Sequence, residues 1–264
     1  MTQARLTWLP KKTFELEFSI PWEEVKKSYD KVLNELTKKA KLEGFRPGKA
    51  PKDLVEKSLD KGKLYGEVIN QLLPLSYTQA VSQHQLRPAI APKITIISAE
   101  ENKPWQFKAS CCELPEIKLG NYQGTVRSAL VKSQLEKKEL TQTQKLNLVS
   151  KALIDEIKIE LSDLLIESER DRLLSRLLDQ IQKLGLTIDQ YAGSNNKTVE
   201  QIKQEYQLTA ANTLKLELIL QTVAEDKKFQ ADEQEINKLK EPAERAYIAS
   251  ILKKQQAIDY LLTL

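Results

Sequence analysis

Residues 13–20 alternate without a break: Phe14, Leu16, Phe18 and Ile20 are apolar, while Thr13, Glu15, Glu17 and Ser19 are polar. Strict period-two patterning of this kind demands a strand with one buried face, so the chain must build a sheet and cover it. Residues 5–9 supply a partner across the turn Pro10-Lys11-Lys12. The remaining strand patterns come much later, with Ile94 and Ile96 around Thr95, then Trp105, Phe107 and Ala109 alternating with Gln106, Lys108 and Ser110. Between them the spacing is helical. One helix follows Pro21, with Glu23 and Glu24 in its first turn and a stripe of Val25, Tyr29, Val32, Leu33, Leu36 and Ala40. A short one follows Pro51, with Leu54, Val55 and Leu59 expected inward, and a longer one covers 62–85, where Pro74 predicts a kink. Residues 87–92, Arg-Pro-Ala-Ile-Ala-Pro, force an extended connector. Helices enclosed in sequence by strands predict an α+β domain with an antiparallel sheet, over residues 1–112.

Within this domain the stretch Gly44-Phe45-Arg46-Pro47-Gly48-Lys49 combines special backbone chemistry with exposed binding chemistry. Pro47 and Gly48 suit the two central positions of a type II turn, the second of which needs positive φ. Phe45 then sits beside two cations at a stiff tip, a composition suited to docking. Lys38, Lys39 and Lys41 crowd the end of the preceding helix and add positive charge. The plain alternative is a helix-to-helix turn with ordinary surface charges. A phosphate-binding P-loop is excluded, because only three residues separate the glycines, Ala50 follows the lysine, and Pro47 removes a backbone donor.

The run Gly-Phe-Arg-x-Gly-Lys followed by Pro51, set between a basic helix and a second helix, resembles the signature of trigger factor, the bacterial chaperone of the ribosomal exit tunnel. The order of strands and helices around it is similar to that family's ribosome-binding domain. The resemblance implies that Gly44, Phe45, Arg46, Pro47, Gly48 and Lys49 dock on the large ribosomal subunit near the exit, supported by Lys38, Lys39 and Lys41. It also admits a homodimer. Charge agrees in sign: residues 1–112 hold 19 Lys and Arg against 13 Asp and Glu, and residues 26–63 hold 12 against 6. Such an excess would steer the domain toward an RNA-rich surface, although solvated helix faces are also commonly basic.

Residues 113–127 carry Pro115, Gly120 and Gly124 and no clear period, which reads as a linker. An FKBP-type prolyl isomerase domain normally follows in the family. Fewer than 40 residues separate this segment from a helical pattern resembling the family's C-terminal domain, so no such domain fits and its activity is not carried over.

Residues 128–264 read as an all-α, elongated domain. Leu153, Ile154, Ile157, Leu161, Leu164 and Leu165 recur at three or four residues, with a break or cap offered at Ser162-Asp163. A second stripe, Leu173, Leu174, Leu177, Leu178, Ile181 and Leu184, stops at Gly185. Thr187 with Gln190 and Thr198 with Gln201 are capping-box patterns. Asp232 with Glu235 suggests a short helix, and Pro242 precedes a last one with Tyr247, Ile251, Ile258, Leu261 and Leu262 apolar. Between Asp232 and Tyr247 the chain is short for the family, which implies a reduced second arm.

Other chemistry is sparse. Cys111 and Cys112 are adjacent in a strand and point to opposite faces, which excludes a bridge or metal pair and leaves core packing for one of them. The single His84 reads as a helix-end residue, and no nucleophile motif occurs. No catalytic residue, cofactor or metal is therefore expected. No apolar run reaches the roughly 20 residues of a membrane span, and the N-terminus lacks a secretory apolar region, so the cytoplasm is the expected compartment.

Three functions fit. One is an ATP-independent chaperone that docks at the ribosome and shields apolar segments of nascent or unfolded chains. Another is a ribosome-independent helical adaptor or assembly chaperone for folded partners. A divergent prolyl isomerase is the third, and it would need an aromatic-lined pocket, whereas after Tyr122 only Tyr191, Tyr206, Phe229, Tyr247 and Tyr260 are aromatic.

Overall fold

The structure is a computed structural model and describes residues 4–42, 45, 46, 48–135, 140–231, 236 and 241–264. Contacts divide the chain into two units, Met1–Leu114 and Pro115–Leu264.

In the first unit β1 (Ala4–Leu9) and β2 (Thr13–Ile20) form a hairpin. Its turn places Lys11 and Lys12 at φ +60° and +53° and closes with Thr13 N–H donating to Pro10 O at 3.3 Å. Positive φ at both central residues matches the right-handed twist of the flanking strands. β3 (Lys93–Ser98) and β4 (Trp105–Cys112) complete an antiparallel sheet of order β1-β2-β4-β3. The alternation seen in sequence sets the register: Phe14, Leu16, Phe18 and Ile20 oppose Cys111, Ala109, Phe107 and Trp105, and all eight are buried. Phe18 and Phe107 stack with centroids 5.8 Å apart. A bulge between Ile96 and Ser98 turns β3 at the edge and leaves Ile96 and Ile97 exposed.

The covering layer consists of α1 (Trp22–Lys39), α2 (Lys52–Ser58) and α3 (Lys61–Gln83). α1 buries Val25, Ser28, Val32 and Leu33, and α3 buries Leu64, Val68, Ser76 and Ala80. Pro74 stands inside α3, which is assigned as one continuous helix. α2 buries only Val55, and Leu54 faces solvent instead of turning inward as expected, since a seven-residue helix has room for one inward residue per turn. His84 caps α3 and its Nε2 lies 3.2 Å from Ala4 O. Both cysteines are buried, not one: Cys111 joins the sheet–helix core, and the adjacent Cys112 is fully enclosed outside that cluster.

The second unit contains α4 (Tyr122–Leu135), α5 (Gln142–Glu156), α6 (Asp163–Lys183), α7 (Ile188–Ser194), α8 (Val199–Asp226) and α9 (Pro242–Leu262). α4 begins inside the segment read as a linker. There Asn121 Oδ1 accepts from Gly124 N–H at 3.2 Å in the manner of an N-cap, and Tyr122 and Val126 are buried one turn apart. Glycine near a helix start thus masqueraded as linker composition. The 153–165 run is broken by 157–162, after which Ser162 Oγ accepts from Leu164 N–H at 3.2 Å. Capping boxes open α7 at Thr187 and α8 at Thr198 as expected, and a third opens α5 at Thr141 with Gln144.

α8 is the axis of this unit, packed by α5, α6, α7 and α9 and burying Ala210, Leu218, Ile219, Leu220, Val223 and Ala224. One end closes around Leu177, Ile181, Ala192 and Ile202. At the other, Tyr122 Oη donates to Asp226 Oδ2 at 3.0 Å, Gln123 Nε2 donates to Tyr260 Oη at 2.8 Å, and Phe229 meets the Tyr260 ring edge-on. The order of an α+β unit followed by a helical one is the fold class expected. Asp232 and Glu235 lie outside the described residues.

Candidate functional site

The loop after α1 is shaped by how that helix ends. Ala40 leaves helical geometry at ψ 138°, with its N–H on Thr37 O, and Lys38 and Lys39 occupy the last turn. The free Ala40 carbonyl is then claimed from the loop: Gly48 N–H donates to it at 3.1 Å. Lys49 N–H donates to Arg46 O at 2.9 Å, and Gly48 has φ +74°, which together describe a tight turn at the tip. A Cβ on residue 48 would stand 2.5 Å from the Lys38 carbonyl oxygen. Glycine is thus required twice, for its φ and for the close passage of the loop over the helix end.

Phe45 is 42% exposed, with its N–H on Leu42 O at 3.1 Å, whereas Ala50 is buried and anchors the loop's return. Arg46, Lys49, Lys38, Lys39 and Lys41 are all exposed. Among the described residues none of these five has a carboxylate within ion-pair distance, so their charge faces solvent. Gly44 and Pro47 lie outside the described residues.

Sequence reasoning missed two groups. Tyr29, counted only as an apolar position, sends its hydroxyl to Glu56, and Lys52 pairs with Asp30 beside it; the i,i+4 spacing of Lys52 and Glu56 was the available signal. On the helical unit, the apolar stripes are not wholly core: Tyr247 is 67% exposed, Ile251 40%, and Leu178, Leu184, Leu186 and Leu208 are exposed too. Among the described residues no cluster of three or more His, Cys, Asp or Glu could hold a metal ion. No helix there is long and apolar enough to cross a membrane.

An α+β unit that presents a basic loop with an exposed aromatic is thus followed by a helical unit with solvent-facing apolar side chains. The comparisons name the family. The family model described as bacterial trigger factor protein matches residues 3–146, and the model of the trigger factor C-terminus matches 126–263. This chain belongs to the trigger factor family. Because the two matches overlap, no isomerase domain stands between them. Trigger factor of Lactobacillus gasseri is 37% identical over 110 residues, covering 42% of this chain and 24% of that protein. That of Moorella thermoacetica is 34% identical over 122 residues, 46% of this chain and 27% of that protein. The matched part thus spans about a quarter of these curated relatives. A solved structure described as "Promiscuous Substrate Recognition in Folding and Assembly Activities of the Trigger Factor Chaperone" aligns over 99% of both chains, with a TM-score of 0.62 and 12% identity. At that identity the likeness speaks for the fold alone.

Proposed function

We propose that this protein is an ATP-independent chaperone of the cytoplasm that docks beside the ribosomal exit tunnel through residues 44–49 and shields apolar segments of nascent or unfolded chains. The observation that carries this reading is the loop: Phe45 stands half-exposed on a tip bonded back onto the end of α1, and the five cations of the loop and that helix end have no ion-pair partner among the described residues. An aromatic ring supplies the apolar anchor of a docking site, and the cations supply attraction to an RNA-rich surface. Lys38, Lys39 and Lys41 extend the charge along α1. The family match supports the reading, since the same motif lies within the matched N-terminal region.

For clients, the exposed Tyr247 and Ile251, one turn apart on α9, are the natural contact surface. Covering about 400 Å² of apolar area gains roughly 10 kcal/mol gross, most of it cancelled by association and ordering costs. Client binding is therefore weak and reversible, as a chaperone without a nucleotide cycle requires. With no domain inserted between the two matched regions, we infer that the role is non-enzymatic.

The test is co-sedimentation with ribosomes at two salt concentrations, comparing wild type with Phe45→Ala/Arg46→Ala/Lys49→Ala. Wild type is expected to bind, less so at high salt, and the variant to lose binding with its helicity intact. Equal binding by both proteins, or by neither, would sink the docking reading and favour the adaptor alternative.

A further inference from the structure

α2 has little to hold it in place by itself. Seven residues are too few for a stable isolated helix, and its apolar burial is confined to Val55. Two polar ties to α1 lie side by side and make up the difference. Tyr29 Oη donates to Glu56 Oε1 at 2.6 Å, and Lys52 Nζ donates to Asp30 Oδ1 at 2.9 Å. Tyr29 and Asp30 are neighbours on α1, and Lys52 and Glu56 are one turn apart on α2, so both bonds act on the same face. The clamp is anchored behind: the Tyr29 ring packs on Tyr65 at 5.4 Å, Tyr65 Oη donates to Glu101, and the Tyr65 ring meets the fully buried Trp105 of β4 edge-on at 5.5 Å.

The four clamp residues, Tyr65 and Glu101 line a cleft of about 360 Å³ together with Trp22 and Lys61. A ligand site is not the better reading of it, because the carboxylates of Asp30, Glu56 and Glu101 are already engaged within the domain. What the bonds control is the loop. Residues 40–51 run from the end of α1 to the start of α2, and the clamp grips α1 ten residues before its end, roughly 15 Å back along the helix axis. A segment of that length can stretch to roughly 40 Å. The loop is thus long enough to take many paths, and beside its own bonds to the end of α1 the position of α2 decides which one it follows.

We propose that Tyr29, Asp30, Lys52 and Glu56 are positioning residues for the docking loop: by fixing α2 on α1 they hold the Phe45–Lys49 tip in the form a partner meets. This rests on the docking reading above, and the experiment separates the two. Amide hydrogen exchange is measured at Gly48 and Lys49, whose N–H groups bond to Ala40 and Arg46 carbonyls, in wild type, Lys52→Asp, Tyr29→Phe/Lys52→Asp, and the charge swap Asp30→Lys/Lys52→Asp. Ribosome affinity is measured in parallel, with the sheet amides as a control for folding.

The clamp-broken variant is expected to exchange at both amides about tenfold faster and to bind ribosomes about tenfold more weakly, with sheet protection unchanged. The charge swap is expected to recover most of the effect of Lys52→Asp, which general destabilisation would not. Loop amides as protected in the broken variant as in wild type would overturn the proposal. Faster loop exchange with no ribosome binding by any of the proteins would uphold the clamp's hold on the loop and sink the docking reading instead. If the double variant also loses sheet protection, Tyr29→Phe alone is read against the same criteria.

Discussion

Gly48 carries the sharpest constraint of any single residue. A side chain there must adopt a left-handed backbone, at a cost of about 1–2 kcal/mol, and must also push the loop off the Lys38 carbonyl. Gly48→Ala is expected to raise exchange at Lys49 by tenfold or more and to weaken ribosome binding, while the melting of the sheet changes little; a loop as protected as wild type would contradict this. The tyrosines of the clamp give a second test. Burial first, and then the bonds to Glu56 and Glu101, raise both Tyr29 and Tyr65 well above the ordinary phenol value. A raised value means that the folded state holds the proton more tightly. The stabilisation is therefore complete below about pH 10, the unfolded value, and is lost as pH climbs toward the folded values. The denaturant midpoint of this unit should fall above pH 10, and Tyr29→Phe/Tyr65→Phe should flatten the fall. Legibility divides along the same line. Gly48 could be read from sequence because Pro-Gly announces its backbone, but the Tyr29 hydroxyl could not, because periodicity registers a ring without saying where its oxygen goes.

At the scale of elements, the helices are set by their first turns. Thr187 and Thr198 each accept from the third helical N–H while Gln190 and Gln201 bond back, so that local sequence alone marks the boundaries. Thr198→Ala is expected to cost about 1 kcal/mol, visible as a lower melting temperature of the helical unit, because α8 is the element on which its neighbours pack. Asn121 starts α4 by the same physics, yet the glycines on either side of it made the segment look like a connector. The stripes were also read correctly as helices, but their spacing did not say which of their residues face out. Leu178 and Leu184 share spacing with the buried Leu177 and Ile181, and which of them is covered depends on neighbours that a single helix's pattern does not contain.

For the molecule as a whole, the division at Leu114 separates two cores that share no sequence pattern, one built on a sheet and one on α8. Residues 1–114 and 115–264 made as separate chains are each expected to fold, the first retaining ribosome co-sedimentation and the second retaining suppression of aggregation of a chemically unfolded client. Tyr247→Ser/Ile251→Ser in the full chain should reduce that suppression without lowering helicity; unchanged suppression would remove α9 from the client surface. The two buried cysteines bear on how all of this can be followed. With Cys111 and Cys112 both fully enclosed, a maleimide dye or photo-crosslinker added to the native protein has no natural target at the surface. A single cysteine introduced at position 45 would accordingly report on the loop tip alone, from an otherwise silent background.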